Sequence, residues 1–367
     1  MAQTIIGLND PKAVKRYSVG LAADTARKSY YSRKFVGKNQ ANGALILRKD
    51  ELESDSGDKI TFDLSMRLRG APIQGDERAE GKQESLRFYT DEIKIDQLRK
   101  PVSAGGRMTR KRTLHNLRQV AKDRASDYWS QLQDELFSIY LSGARGNNPD
   151  FIWETDFKGF ANNDVEAPDS DHILYGGNAT SKASIGIDDV MNRTLIERAA
   201  TRAATLNAIH TDNIRIQPLK IDGEDHYVCV MSEYQAYNLR TSSTTNDWAD
   251  VQKAAAAAEG RSNPIFKGNM GLLNNVILHK YEGVIAFGDY GADGKQPAAR
   301  ALFLGAGAGL VAYGSSSGQR FDWHEETVDL GNEPIIDTSS IFGVKKARFN
   351  GRDFAVIALD TYAANPN

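Results

Sequence analysis

The chain has 367 residues, 40% of them hydrophobic and 26% charged, with a formal net charge of −2 and a mean hydropathy of −0.49. That composition fits a soluble globular protein of about two domains. No run approaches the ~20 apolar residues of a membrane span, and the opening MAQTIIGLNDPKAVKRY lacks the apolar core of a signal peptide. A single cysteine, Cys229, excludes an internal disulfide and fits a reducing cytoplasm.

The small net charge hides a separation of sign. Residues 1–49 hold ten Lys/Arg against two acids, and residues 99–124 hold nine against one, which leaves the remainder strongly negative. Such a layout favours head-to-tail contact between copies, or one face turned toward a polyanion. The first segment has scattered apolar positions and no sustained period, so it is expected to be an extended arm with short helical pieces. Its cations Lys15, Arg16, Arg27, Lys28, Arg33 and Lys34 are candidate arm contacts.

From Ile60 the pattern changes. Ile60, Phe62, Leu64, Met66 and Leu68 alternate with Thr61, Asp63, Ser65 and Arg67, the period of a strand with one apolar face. A polar excursion, Arg69 to Ser85, follows, and an extended run returns through Leu86, Phe88, Ile93 and Ile95. A two-stranded ribbon alone is marginal in water, so this one is expected to find its partner surface on another chain. Arg69, Asp76, Glu77, Arg78, Glu80 and Lys82 near its tip are candidate inter-subunit contacts, as are Arg110, Lys111 and Arg112 further on.

Pro101 and the Gly105–Gly106 pair are expected to break the strand. Leu114, Leu117, Ala121, Ala125, Tyr128, Leu132, Leu136, Ile139 and Tyr140 then recur in steps of three or four. This predicts one helix from about Thr109 to Leu141, roughly 50 Å long, stopped at Gly143. Residues 145–187 read as irregular loop. Asp188 or Asp189 is placed to cap a helix to about Asn207. Strands are expected on either side of Asp222–Gly223, a short helix from Ser232 to Arg240, and another from Trp248 to Glu259. Beyond Gly271 the chain is strand-rich: Val276–Tyr281, Val284–Phe287, Ala301–Leu304, Leu310–Tyr313 and Phe354–Leu359.

Little in the chain has the spacing of a catalytic site. His324-Glu325-Glu326 lacks the second histidine of a zinc-protease helix, because position 328 is valine. The run Gly305–Gly309 has Leu310 where a dinucleotide fingerprint needs its third glycine. No nucleophile elbow and no phosphate loop occurs. A hydrolase or oxidoreductase is therefore the weakest of the functional readings, and no cofactor or metal is expected.

The segments Val230–Thr241, Asn274–Val284, Arg300–Gly314 and Ile341–Thr361 resemble the major capsid proteins of N4-like tailed bacteriophages, in the same order and with similar spacing. The resemblance implies an α+β chain with the tailed-phage and herpesvirus capsid fold. It implies an N-terminal arm (1–58), an extended hairpin loop (59–105), a spine helix with peripheral domain and loop insertion (106–187), a mainly axial domain (188–315), and a C-terminal return to the peripheral domain (316–367). It further implies self-assembly, as hexamers and pentamers, into an icosahedral shell around double-stranded DNA, in a virion built in the host cytoplasm. Portal, scaffolding and decoration proteins are the partners it brings with it, and contact with packaged DNA is expected to be weak and non-specific. An encapsulin-like protein compartment of the same fold is the alternative.

Overall fold

The computed structural model describes residues 11–38, 44–53, 57–66, 68, 70–103, 105–112, 116–209, 214–221, 223–242, 264–266, 270–315 and 320–365. Six helices are described: α1 (Pro11–Lys28), α2 (Tyr30–Lys34), α3 (Arg107–Arg112), α4 (Leu117–Ser142), α5 (Arg193–Ile209) and α6 (Glu233–Ser242). The expected Trp248–Glu259 helix lies outside the described residues.

Two mixed sheets carry most of the core. The first is organised by one 14-residue strand, Glu333–Lys346. Along one edge it pairs antiparallel with Asp322–Val328 and then with Gly309–Gly314. Along the other it pairs with Asp96–Ser103. Ile46–Lys49 and Val36–Gly37 extend this sheet in parallel beyond Gly309–Gly314. The second sheet runs Gly271–Leu273, Val276–Lys280, Glu224–Met231, Gln296–Leu304, Val356–Tyr362 and Ile173–Tyr175. Its inner strands are buried on both faces; Val228 to Met231 and Ala298 to Leu304 are all buried, Arg300 included. The C-terminal strands thus divide, Glu333–Lys346 to the first sheet and Val356–Tyr362 to the second.

Helix α4 bridges the two sheets. Trp129, Leu132, Leu136, Phe137, Ile139, Tyr140 and Leu141 are buried, so the apolar stripe read from the sequence is the packed face. Trp129 Nε1 donates to Thr338 Oγ1 at 3.0 Å, tying the helix to the long strand. The helix ends at Gly143, whose N–H reaches Ile139 O at 2.9 Å and whose φ is +70°. A Cβ there would sit 2.2 Å from Glu166 O, so only glycine fits this stop. Leu132 is 3% exposed; Leu132→Ala should cost about 2–5 kcal/mol, read as a lower denaturant midpoint of the isolated subunit.

The expected single helix from Thr109 is instead two. Helix α3 ends at Arg112, and α4 starts at Leu117, where Asn116 Oδ1 accepts the Gln119 N–H at 3.3 Å. The side chains of Met108 and Val120 are exposed, and Leu114 of the expected stripe lies outside the described residues. Pro101 does not break the strand; it lies inside Asp96–Ser103, opposite Asp337. That strand pairs on one side only among the described residues, and an edge position tolerates a residue with no N–H.

The N-terminal segment also departs from expectation. Among its described residues it is largely helical and docked on its own chain. Leu21, Tyr31 and Phe35 are fully or nearly fully buried, and Tyr17 stacks on Trp323 with ring centroids 5.2 Å apart. Helix α5 begins at Arg193, later than expected, because Asn192 Oδ1 accepts the Leu195 N–H at 2.9 Å. Asp189 serves elsewhere, accepting the Gly186 N–H at 2.8 Å. Helix α6 has the reciprocal cap that its sequence encodes: Gln235 N donates to Ser232 Oγ and Ser232 N to Gln235 Oε1. Strands Leu219–Ile221 and Glu224–Met231 flank Gly223, φ +87°; Asp222 lies outside the described residues.

Candidate interaction surfaces

The hairpin pairs from Lys59 with Lys94 to Ser65 with Phe88. Its base has a local partner, contrary to the expectation of a wholly unpartnered stripe. Ile60 and Ile93 are buried in a small core with Leu52, Leu310, Ala312 and Ala347, and Phe62 meets Phe349 edge-on at 5.8 Å. Asn163 fixes the same end: its side chain accepts from Lys94 N at 3.0 Å and donates to Lys94 O at 2.8 Å. A Cβ on Gly343 would lie 1.9 Å from that carbonyl oxygen.

The distal part is different. Leu86 is 63% exposed and Phe88 59%, and Leu68 and Ile73 are exposed as well. The tip is held by short-range contacts: the Gly70 N–H reaches Glu84 Oε2 at 2.6 Å, and Lys82 pairs with Glu77. Asp76, Glu77, Arg78, Glu80 and Lys82 are all exposed there. Arg69 lies outside the described residues.

A second surface forms where α3 meets the turn between Asp322–Val328 and Glu333–Lys346. Arg107 N donates to Asn332 Oδ1 at 3.1 Å, and Arg110 Nη2 donates to Asn332 O at 3.0 Å. Lys111 and Arg112 are exposed beside them. Arg99 and Asp337 pair on the neighbouring strands at 2.6 Å.

Two of the six arm cations lie against the chain itself. Lys28 pairs with Asp127 of α4 at 2.6 Å, and Lys34 sits over the Tyr30 ring at 5.0 Å, where burial lowers its ammonium pKa. Arg27 and Arg33 are exposed. Lys15 and Arg16 fall within α1, with side chains outside the described set.

Among the buried polar centres that escaped the sequence reading, two tie helix α4 to its surroundings. Asp134 on α4 receives Ser29 Oγ at 2.6 Å, Tyr30 N at 2.7 Å and Tyr31 N at 3.1 Å, clasping the start of α2. Burial outweighs these hydrogen bonds and pushes its carboxyl up to about 6. Because the folded value exceeds the unfolded one, the subunit should gain stability as pH falls through 6 toward the ordinary carboxylate range. The gain between pH 7 and pH 5 should be about 1 kcal/mol. Asp134→Asn should flatten this dependence in unfolding midpoints measured across that range. The second centre is Arg300 with Asp360, joined at 2.7 Å through Nε and again through Nη2. Tyr290 OH donates to Asp360 at 2.6 Å, and Arg300 Nη1 reaches Ser142 O at the end of α4 at 2.9 Å.

Groups considered for chemistry sit in structural surroundings. Cys229 is fully buried, and burial pushes its thiol up to about 12. Burial, with Lys34 nearby, drives His279 down to about 3 while its Nε2 bonds Ile265 O at 2.8 Å. The Gly305–Gly309 run is a close-packed turn, where a Cβ on Gly305 would come within 2.3 Å of Ile216. His324 is exposed on a strand opposite Asp337.

Comparison with known proteins meets this geometry with one class of answer. A family model described as phage capsid protein matches residues 5–365. The major capsid protein of Pseudomonas phage KPP25 is 24% identical over 373 residues, covering 90% of each chain. The solved capsid of Ralstonia phage GP4 is 55% identical, covers 100% of both chains and superposes with a TM-score of 0.87. The capsid of cyanophage Pam1 is 19% identical over 93% of each chain and shares the fold at a TM-score of 0.72. With an α+β tailed-phage capsid fold, a docked arm, an anchored hairpin and a bridging helix, the chain belongs to the phage capsid protein family, and its role is structural.

Proposed function

We propose that this chain is the major subunit of an icosahedral shell that encloses the double-stranded DNA genome of a tailed phage. The observation that carries this reading is the 55% identity, over the full length of both chains, to the Ralstonia phage GP4 capsid. Each copy would offer several modest contacts, and closure would make them collectively strong. In this reading hexamers and pentamers share one subunit fold. Residues 1–58 are the arm and 59–105 the extended loop. The first sheet with α4 belongs to the peripheral domain, and residues 188–315 supply most of the axial domain.

The four C-terminal segments support placement near the N4-like phages. Scaffolding, portal and decoration proteins are the expected partners, with assembly in the host cytoplasm. The exposed cations of the arm and of α3 serve mainly as contacts between subunits. Weak contact with DNA is secondary, because a lining that gripped phosphate strongly would oppose packaging and release.

The test is to express the chain alone and with its neighbouring head genes, then image the products by cryo-electron microscopy. Closed icosahedral particles that gain nuclease-protected DNA on co-expression are the expected result. Particles filled with protein and never with DNA would favour a compartment shell. A chain that stays monomeric under all conditions would overturn the proposal.

A further inference from the structure

Leu330 is fully exposed, and it holds a backbone conformation that leucine avoids. It stands at the tip of the turn joining Asp322–Val328 to Glu333–Lys346, with φ +51°, between Asp329 at +52° and Gly331 at +83°. An L-residue with a branched side chain is disfavoured there, and glycine or asparagine would relieve the strain. The turn is nonetheless braced from two directions. Asn332 Nδ2 donates to Asp329 at 2.9 Å, and Arg107 and Arg110 of α3 donate to Asn332 as described. Met108 of α3 is exposed as well. The result is an apolar knob on a braced turn, with Arg107 and Arg110 bonded to it and Lys111 and Arg112 exposed at the end of the same helix.

The same sheet carries a socket of opposite character. A groove of about 450 Å³ opens between Leu98 of the edge strand, Tyr128 and Leu132 of α4, and Trp153 and Phe157 of the following loop. Trp153 and Phe157 form an aromatic wall with centroids 4.5 Å apart. Glu154 and Asp156 stand exposed on its rim, with Arg99 paired to Asp337 at 2.6 Å and Lys100 over the Tyr128 ring on the opposite side. A chain cannot fill its own socket with its own knob. Leu98 pairs with Ser340, and the straight strand from Glu333 to Ser340 separates the two by about 23 Å.

We propose that the Leu330 knob of one copy seats in the Leu98–Tyr128–Trp153–Phe157 groove of a second copy, with the α3 cations against Glu154 and Asp156. Knob and socket are different patches of one surface, so the contact is head-to-tail and propagates into rings rather than stopping at a dimer. Opposite charge at the rim sets register and discourages the reverse pairing. The inference rests on the shell reading above and names one of its contacts.

The decisive variant is Leu330→Gly. It removes the apolar side chain and relieves the backbone, so the isolated subunit should unfold at the same temperature as wild type or higher. Closed-shell yield should nevertheless fall by about tenfold or more, whereas Leu330→Met should assemble normally. Lys111→Glu with Arg112→Glu, and separately Glu154→Lys with Asp156→Lys, should each impair assembly, and the four together should restore it. Sedimentation of the soluble subunit at high concentration gives a second readout, because early oligomers should vanish in Leu330→Gly. Normal shells and normal oligomers from Leu330→Gly would overturn the contact and leave the shell reading standing. Oligomers that depend on Leu330 but never close would support the contact and sink the shell reading. Groove variants that fail while Leu330→Gly assembles would assign the groove to another segment, such as the neighbour's hairpin, and would equally overturn the proposal.

Discussion

Asp360→Ala should destabilise the subunit by about 3–5 kcal/mol. Asp360 is 0% exposed, and its partner Arg300 is 7% exposed. Removing the carboxylate leaves a guanidinium in the core with Ser142 O and the Tyr290 hydroxyl as its remaining partners. Neither neutralises the charge. The loss would be felt at three places, since Arg300 joins strand Gln296–Leu304, strand Val356–Tyr362 and the end of α4. Replacing both partners together, Arg300→Met with Asp360→Leu, should recover much of the loss, because an ion pair exchanged for apolar groups of similar volume is often close to neutral. Denaturant unfolding of the four proteins in the cycle measures this directly. A single-variant cost below ~1 kcal/mol would show that water reaches the pair.

Deleting Ala71–Lys82 should have the largest effect on assembly and almost none on the fold. The hairpin base keeps Ile60 and Ile93 in their small core, and the Gly70 to Glu84 contact already brings the two strands together below the tip. Shortening a surface excursion changes closure entropy by less than ~1 kcal/mol. The lost surface includes Ile73 and the charged run Asp76–Lys82, and the exposed Leu68, Leu86 and Phe88 lose the segment that carries them outward. Under the shell proposal, the truncated subunit should remain soluble, with a thermal midpoint close to wild type, and should give open sheets or free capsomers in place of closed particles. Normal particles would show that the hairpin is dispensable.

The sequence was most readable where one physical signal dominated. Period-2 alternation marked the Lys59–Ser65 strand, and the three-and-four spacing from Ala121 to Tyr140 marked the buried face of α4. Ser232 announced the start of α6, and the structure adds Gln235 as its reciprocal partner. What stayed hidden depended on contacts far apart in the chain. Helix α1 carries a thin apolar stripe, and its docking rests on Lys28 with Asp127, Asp24 with Lys122, and Ser29 with Asp134, about a hundred residues away. The interruption between α3 and α4 left no glycine or proline to mark it. Pro101 misled because its tolerance depends on which edge of the strand is free. Of the candidate contact residues, the tip acids and cations and Arg110, Lys111 and Arg112 do lie on exposed surface. Leu330 gave no signal, since a lone leucine before Gly331 is ordinary until its backbone angle and exposure are known.

The junction at Gly343 makes the hairpin a lever. Its pivot is the close approach of Gly343 to the Lys94 carbonyl, with Asn163 as the bracket on the other side. The strand Phe88–Lys94 runs about 20 Å outward from that point, held once more where Lys345 pairs with Asp91, and the tip reaches further. A rotation of 5° at the pivot displaces the far end of the strand by about 2 Å, enough to exchange one side-chain contact for the next. If the hairpin fastens to a neighbouring copy, as the shell proposal has it, the angle at which copies tilt would be governed at a spot with no room for a methyl group. A larger residue at 343 would change the curvature of whatever the arm is fastened to before it changed the composition of any contact at the tip.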